Sequence, residues 1–185
     1  MIAEVMAQTE NKMQHGIEAT RRDLASIRTG RANPAILDKI QVEAYGSQMP
    51  INQLATVAAP EPRLLVISPW DKTVIGAIRN AIAKSDLGLN PQSDGNVLRL
   101  PLPSLTEERR RELARVVSKK TEEAKVAIRN VRRDAIEELR RMEKAGDISE
   151  DELKRAQDQV QKLTDKYVQE VDRLHDSKVA EITEV

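Results

Sequence analysis

The sequence predicts an α+β protein: an elongated antiparallel three-helix bundle with a small β/α/β domain inserted between its first and second helices. Three observations predict it. Apolar or small residues recur at alternating three- and four-residue steps over three long segments. All eight prolines lie between Arg31 and Ser104, where long helices cannot run. Within that stretch the apolar spacing shortens to alternation in places.

The first helix is expected over Ile2–Arg28. Its seam is Ile2, Val5/Met6, Thr9, Met13, Ile17, Thr20, Leu24 and Ile27, and Thr29-Gly30 stops it. Ile40, Val42 and Ala44 alternate with polar residues as a half-buried strand does, and after the turn at Gly46-Ser47, Met49–Ile51 can pair back. Leu54–Ala59, Leu64–Ser68 and Val97–Leu100 are further strand candidates. Thr73–Ser85 is helical, with Val74, Ile75, Ile78 and Ile82 on one face. Asn90-Pro91 and Asp94-Gly95 are turn chemistry. The insert, 31–104, is large enough to fold, though only marginally.

Helix returns at Thr106, an N-cap followed by Glu107 and Glu108, which suit the positive end of a helix. Its seam runs Leu113, Val117, Ala124, Ile128, Val131, Ala135, Leu139, Met142. Gly146-Asp147 breaks it, and Ser149-Glu150-Asp151-Glu152 is a capping box that opens the last helix. At 1.5 Å per residue these two helices are about 60 and 50 Å long, and the short loop makes them antiparallel neighbours. Only they are long enough to partner the first helix. The expected division is therefore 1–30 with 105–185 as the bundle and 31–104 as the insert. The two linkers, at 29–32 and 102–106, leave the same end of the bundle and form a hinge.

Composition excludes several functions. The absence of cysteine removes disulfides, thiolate metal sites and a cysteine nucleophile, and agrees with a reducing cytosol. No stretch is apolar for the ~18–20 residues of a membrane span, and Met1–Asn11 does not read as a signal or transit peptide. Trp70, Tyr45 and Tyr167 are the only aromatics, too few for base stacking along a single strand. Trp70, beside Pro69, is expected to be a buried anchor or loop cover. His15 and His175 lie on separate helices without ligand spacing and read as solvated residues. There is no phosphate-binding glycine loop, no nucleophile elbow and no catalytic constellation. No metal or cofactor is expected.

Thirty basic and thirty acidic residues cancel overall but are segregated. Thr106–Arg133 holds ten basic against five acidic residues; Asp134–Glu152 holds three against eight. On the middle helix Arg111, Arg115, Lys125, Arg129, Arg133 and Arg140 fall within about 80° of one another, away from the seam. Arg132 flanks them and Glu122 interrupts them. A basic ridge without aromatics suits the backbone of a folded RNA. A merely solvated charged face is the competing explanation.

Several segments resemble the ribosome recycling factor family. They are Ser26-Ile27-Arg28-Thr29-Gly30-Arg31-Ala32-Asn33-Pro34, Ser85-Asp86-Leu87-Gly88-Leu89-Asn90-Pro91, Pro101-Leu102-Pro103, Leu105-Thr106-Glu107-Glu108-Arg109-Arg110 and Ile128-Arg129-Asn130-Val131-Arg132-Arg133-Asp134-Ala135. Ile148–Asp151 and Val160–Asp165 add to them, and the likeness spans the whole chain in order. The resemblance implies an L-shaped protein of transfer-RNA size. It would be a cytoplasmic monomer that binds the post-termination ribosome against large-subunit RNA near the peptidyl-transferase centre. With elongation factor G and GTP, it would separate the subunits. The family's RNA-contacting arginines match Arg110, Arg129, Arg132 and Arg133, with Arg28 and Arg31 as lesser candidates. Of these, the ridge independently reached Arg129 and Arg133. Hinge residues are expected at Thr29, Gly30, Leu102, Pro103 and Ser104.

Three positions depart from the family pattern. Ile136 stands where a polar residue is common, and is expected to lie exposed beside the ridge. Ala44 precedes Tyr45 where an aromatic is common. Ser104 stands where proline is common, and is expected to loosen one linker. A self-associating coiled-coil scaffold or a general RNA-binding protein is the alternative function; an enzyme is disfavoured by the missing site chemistry.

Overall fold

The computed structural model describes residues 1–184. The described residues form two compact units: 1–24 with 114–180, and 25–113 with 181–184.

The first unit is helical. Helix α1 spans Ile2–Ala25, α3 Glu107–Lys144 and α4 Glu150–Thr183. The last two reach from this unit into the second. Both expected seams close within the chain. Val5 packs with Ala135, Leu139, Met142, Ile148, Ala156 and Val160; Met13 and Ile17 pack with Ile128, Tyr167 and Val171. Rising numbers on α1 thus meet falling numbers on α3 and rising numbers on α4, so α3 runs antiparallel to the other two. Thr9, Thr121 and Thr164 are buried in this core, and each hydroxyl donates to the carbonyl four residues back, at 2.7, 2.9 and 2.8 Å. That bond removes the cost of burying an unpaired hydroxyl.

Gly146 ends α3 at φ +79°. Its N–H donates to Glu143 O and that of Asp147 to Met142 O, a Schellman arrangement. The capping box forms as expected: Glu152 N–H donates to Ser149 Oγ at 3.1 Å, and Ser149 N–H to Glu152 Oε1 at 3.2 Å.

In the second unit, β1 (Gln41–Ala44) and β2 (Ser47–Pro50) make a separate hairpin. Strands β3 (Ala55–Glu61), β4 (Leu64–Pro69), β5 (Gln92–Asp94) and β6 (Val97–Pro101) form an antiparallel sheet in the order β3-β4-β6-β5. Leu65 stands opposite Leu100 and Ile67 opposite Leu98. All four are buried against Val74 and, on α2 (Ile75–Lys84), Ile78 and Ile82.

Four expectations need correction. Helix α1 ends at Ala25 rather than Arg28. Strand β5 occupies residues read only as turn chemistry, because its three exposed polar side chains carry no alternation. Trp70 is 66% exposed rather than buried. Ile136 is half-buried and packs against the Val5–Leu139 core, not free beside the ridge.

Candidate nucleic-acid interface

Helix α3 carries most of the candidate contacts. Arg129 and Arg133, one turn apart, are exposed, and among the described residues neither pairs with a carboxylate. Arg115 and Arg140 are in the same state. Arg132 is half-buried and donates to Gln161 Oε1 on α4 at 3.2 Å, which aims its guanidinium without neutralising it. Arg111 and Lys125, expected in the ridge, are neutralised instead. Arg111 pairs with Glu107 at 2.6 Å. Lys125 bonds Asp172 at 2.9 Å and Glu122 at 3.3 Å. Its hydrogen bond to Asp172, chiefly, raises its pKa above the usual lysine value. The interruption foreseen at Glu122 is thereby offset, and the free positive charge falls on Arg115, Arg129, Arg133 and Arg140.

The remaining candidates, Arg28, Arg31 and Arg110, belong to the second unit. Both ends of the insert are tied to the β3–β4 turn: Ala32 N–H donates to Pro62 O at 2.6 Å and Leu102 N–H to Arg63 O at 2.8 Å. Leu102 is buried in the sheet core. Thr29 is also buried, and its hydroxyl oxygen accepts from Arg31 N–H at 3.2 Å. Arg28 donates to Pro103 O, and Arg63 to Ser104 Oγ. Ser104, expected to loosen its linker, thus supplies the group that ties it to the turn.

Burial, then the proximity of Arg109 and of Arg63, pushes the Arg28 guanidinium below its usual pKa. Arg110 is half-buried on the first turn of α3, and its Nε, like that of Arg28, is closed off from solvent without a hydrogen-bond partner among the described residues. Arg31, Arg63 and Arg110 share a cavity of about 270 Å³ with Gly30, Pro62, Leu105, Glu181 and Glu184. Arg31 and Glu184 approach to 3.8 Å. Neither Arg63 nor Arg109 was singled out in the sequence. A lone arginine in a β-turn has no periodic partner, so nothing local marks it.

Two other clusters emerge from the packing. His175, expected to be solvated, is half-buried: its Nε2 lies 3.0 Å from Ser118 Oγ and its Nδ1 2.9 Å from Asp176 Oδ1. The order is that of an acyl-transfer relay, but Ser118 sits in mid-helix. The N–H groups around it are committed to the helix, leaving none to stabilise an oxyanion. The cluster staples α3 to α4. In the other cluster, Tyr45 OH donates to Asp71 Oδ2 at 2.5 Å beside the exposed Trp70. Among the described residues no group of carboxylates and histidines has the arrangement to hold a metal ion, and no helix is long and apolar enough to cross a membrane.

A long three-helix bundle whose arginine run pairs with no carboxylate among the described residues, with a small sheet domain inserted in its sequence, defines a class: a two-part α+β protein that presents a basic helix face. The ribosome recycling factor family model matches residues 20–183. Ribosome-recycling factors of Symbiobacterium thermophilum and Bacillus subtilis are each 57% identical over 185 residues, covering all of both chains. A solution structure of a ribosome recycling factor superposes with TM-score 0.77 at 46% identity, covering 100% of this chain and 98% of its own. A second structure has TM-score 0.70 at 47% identity, with both chains fully covered. It represents the T. thermophilus ribosome recycling factor and E. coli elongation factor G bound to the E. coli post-termination complex. The chain belongs to the ribosome recycling factor family, and ribosome recycling at the end of translation is the function that membership carries.

Proposed function

We propose that this protein acts in the cytoplasm, as a monomer without catalytic activity. It binds large-subunit ribosomal RNA near the peptidyl-transferase centre of the post-termination ribosome. Elongation factor G, with GTP, then supplies the free energy that separates the subunits. The observation that carries the reading is the run Arg129–Arg132–Arg133 on α3, unpaired with any described carboxylate and partly oriented by Gln161. Guanidinium forks suit phosphate oxygens, and a ridge without aromatics suits a folded RNA backbone. Arg110 extends the contact, with Arg28 and Arg31 secondary. The likeness to a recycling factor bound with elongation factor G supports the choice of partner.

In this reading, residues 1–30 and 105–185 dock, and 31–104 is the part that is moved. Thr29, Gly30, Leu102, Pro103 and Ser104 absorb the rotation. The test mixes the purified protein with post-termination ribosomes, elongation factor G and GTP, and follows light scattering. A fall that requires all three components is expected. With a folded protein and a matched elongation factor, an unchanged signal would sink the proposal.

A further inference from the structure

We propose that the arginine-lined cavity of the second unit is a phosphate-class anion site, with Arg63 and Arg110 as its ligands. The inference rests on the reading that Arg28, Arg31 and Arg110 serve phosphate. It goes further by recruiting Arg63 and by placing it with Arg31 and Arg110 around one cavity.

The cavity holds about 270 Å³, ample for a tetrahedral oxyanion. Two carboxylates also line it, Glu181 and Glu184, and Glu184 approaches Arg31 at 3.8 Å. Among the described residues the Arg63 side chain makes one hydrogen bond, to Ser104 Oγ. It remains 41 residues away in sequence from that partner, so the fold alone brings it here. Arg110 has a buried Nε with no partner among the described residues, as does Arg28. A guanidinium N–H withdrawn from water without an acceptor is costly, and this applies to Arg110 and Arg28, while Arg63 stays exposed. Like charges gathered together add to that cost. A dianion between Arg63 and Arg110 offsets both and can be held by paired N–H donors. The positive end of α3, which begins at Glu107, adds to the attraction. The phosphate can come from an RNA backbone or from free phosphate; the recognising chemistry is the same.

The experiment titrates inorganic phosphate into the full-length protein at constant ionic strength, by calorimetry and amide NMR. One saturable site is expected, with shifts at residues 30, 31, 63, 105 and 110. Arg63→Gln and Arg110→Gln should each weaken it about tenfold, the loss of one charge-assisted hydrogen bond. Arg79→Gln, on α2 and outside the cavity, should leave it unchanged. Arg63→Lys keeps the charge without the fork and should weaken binding in the same direction, which covers the case of a Gln variant that does not fold. Non-saturating shifts, or equal loss in Arg79→Gln, overturn the site. Adding a short RNA duplex to the phosphate-saturated protein separates the sources: displacement assigns the site to backbone phosphate, simultaneous binding to free phosphate. If phosphate fails to bind while Arg132→Ala still weakens ribosome binding, the cavity site is wrong and the α3 ridge stands. Phosphate binding with an inert Arg132→Ala means the reverse.

Discussion

Tyr45 takes φ +52° and Gly46 φ +77° in the two-residue turn joining β1 to β2. Left-handed backbone is ordinary for Gly46 and unfavourable for a tyrosine. What holds Tyr45 there is its hydroxyl bond to Asp71, a residue that also accepts from Thr73 N–H at 2.9 Å and Thr73 Oγ at 2.7 Å. Foremost through the tyrosine bond, these donors keep the Asp71 carboxyl below its usual value of 3.8 and hold the Tyr45 phenol above its own. A carboxylate with a depressed pKa contributes while ionised, above the ordinary value, and loses that contribution as pH falls through the depressed one. The Thr73 amide and Tyr45 ring resonances should therefore titrate together below pH 3.8, and Asp71→Asn should abolish that titration. Independent titrations would refute the coupling. At Arg132, replacement by alanine removes one hydrogen bond to a neutral amide on α4. Folding stability should change by no more than about 1 kcal/mol, while affinity for large subunits should fall at least about tenfold. Unchanged affinity would count against the ridge as the docking surface.

Among the elements, the α3–α4 corner is built from local chemistry. A β-carbon added to Gly146 would meet no atom within 4 Å, so what the position requires is the φ of +79° rather than space. Gly146→Ala should cost about 1 kcal/mol. Ser149→Ala, which removes the hydroxyl acceptor for Glu152 N–H, should cost about the same. Urea unfolding followed by circular dichroism measures both. A negligible cost in both variants would mean that the helices are held by their seams alone. The corner was legible in the sequence because a helix stop and a capping box act over three or four residues. Strand β5 was not, because its pairing with β6 is set by the neighbouring strand rather than by its own pattern.

For the molecule as a whole, the seams that could have served a coiled-coil partner pack Val5, Met13 and Ile17 of α1 against α3 and α4 of the same chain. Sedimentation should therefore show a monomer across micromolar concentrations; a concentration-dependent dimer would restore the scaffold reading. The hinge carries the last prediction. Cross-linking the linkers at Gly30 and Pro103 should spare ribosome binding and block subunit splitting. Splitting at the normal rate by the cross-linked protein would remove the hinge from the mechanism.

By itself the sequence determined the three long helices, their caps, the hairpin, the α+β class and the family. Periodicity, capping and turn chemistry act between near neighbours, and the family motifs are contiguous. It also marked Arg129 and Arg133, whose relation is that of one helix face, while Arg132 beside them was marked by the family resemblance. Only the tertiary structure decided which charges stay free. Lys125 is neutralised by Asp172, 47 residues away. Arg28 reaches Pro103 across 75 residues and Arg63 reaches Ser104 across 41. Ile136 is drawn into the bundle core, and Trp70 is left in solvent. Each outcome depends on which distant side chain arrives within hydrogen-bond or van der Waals range, and no local pattern encodes that distance.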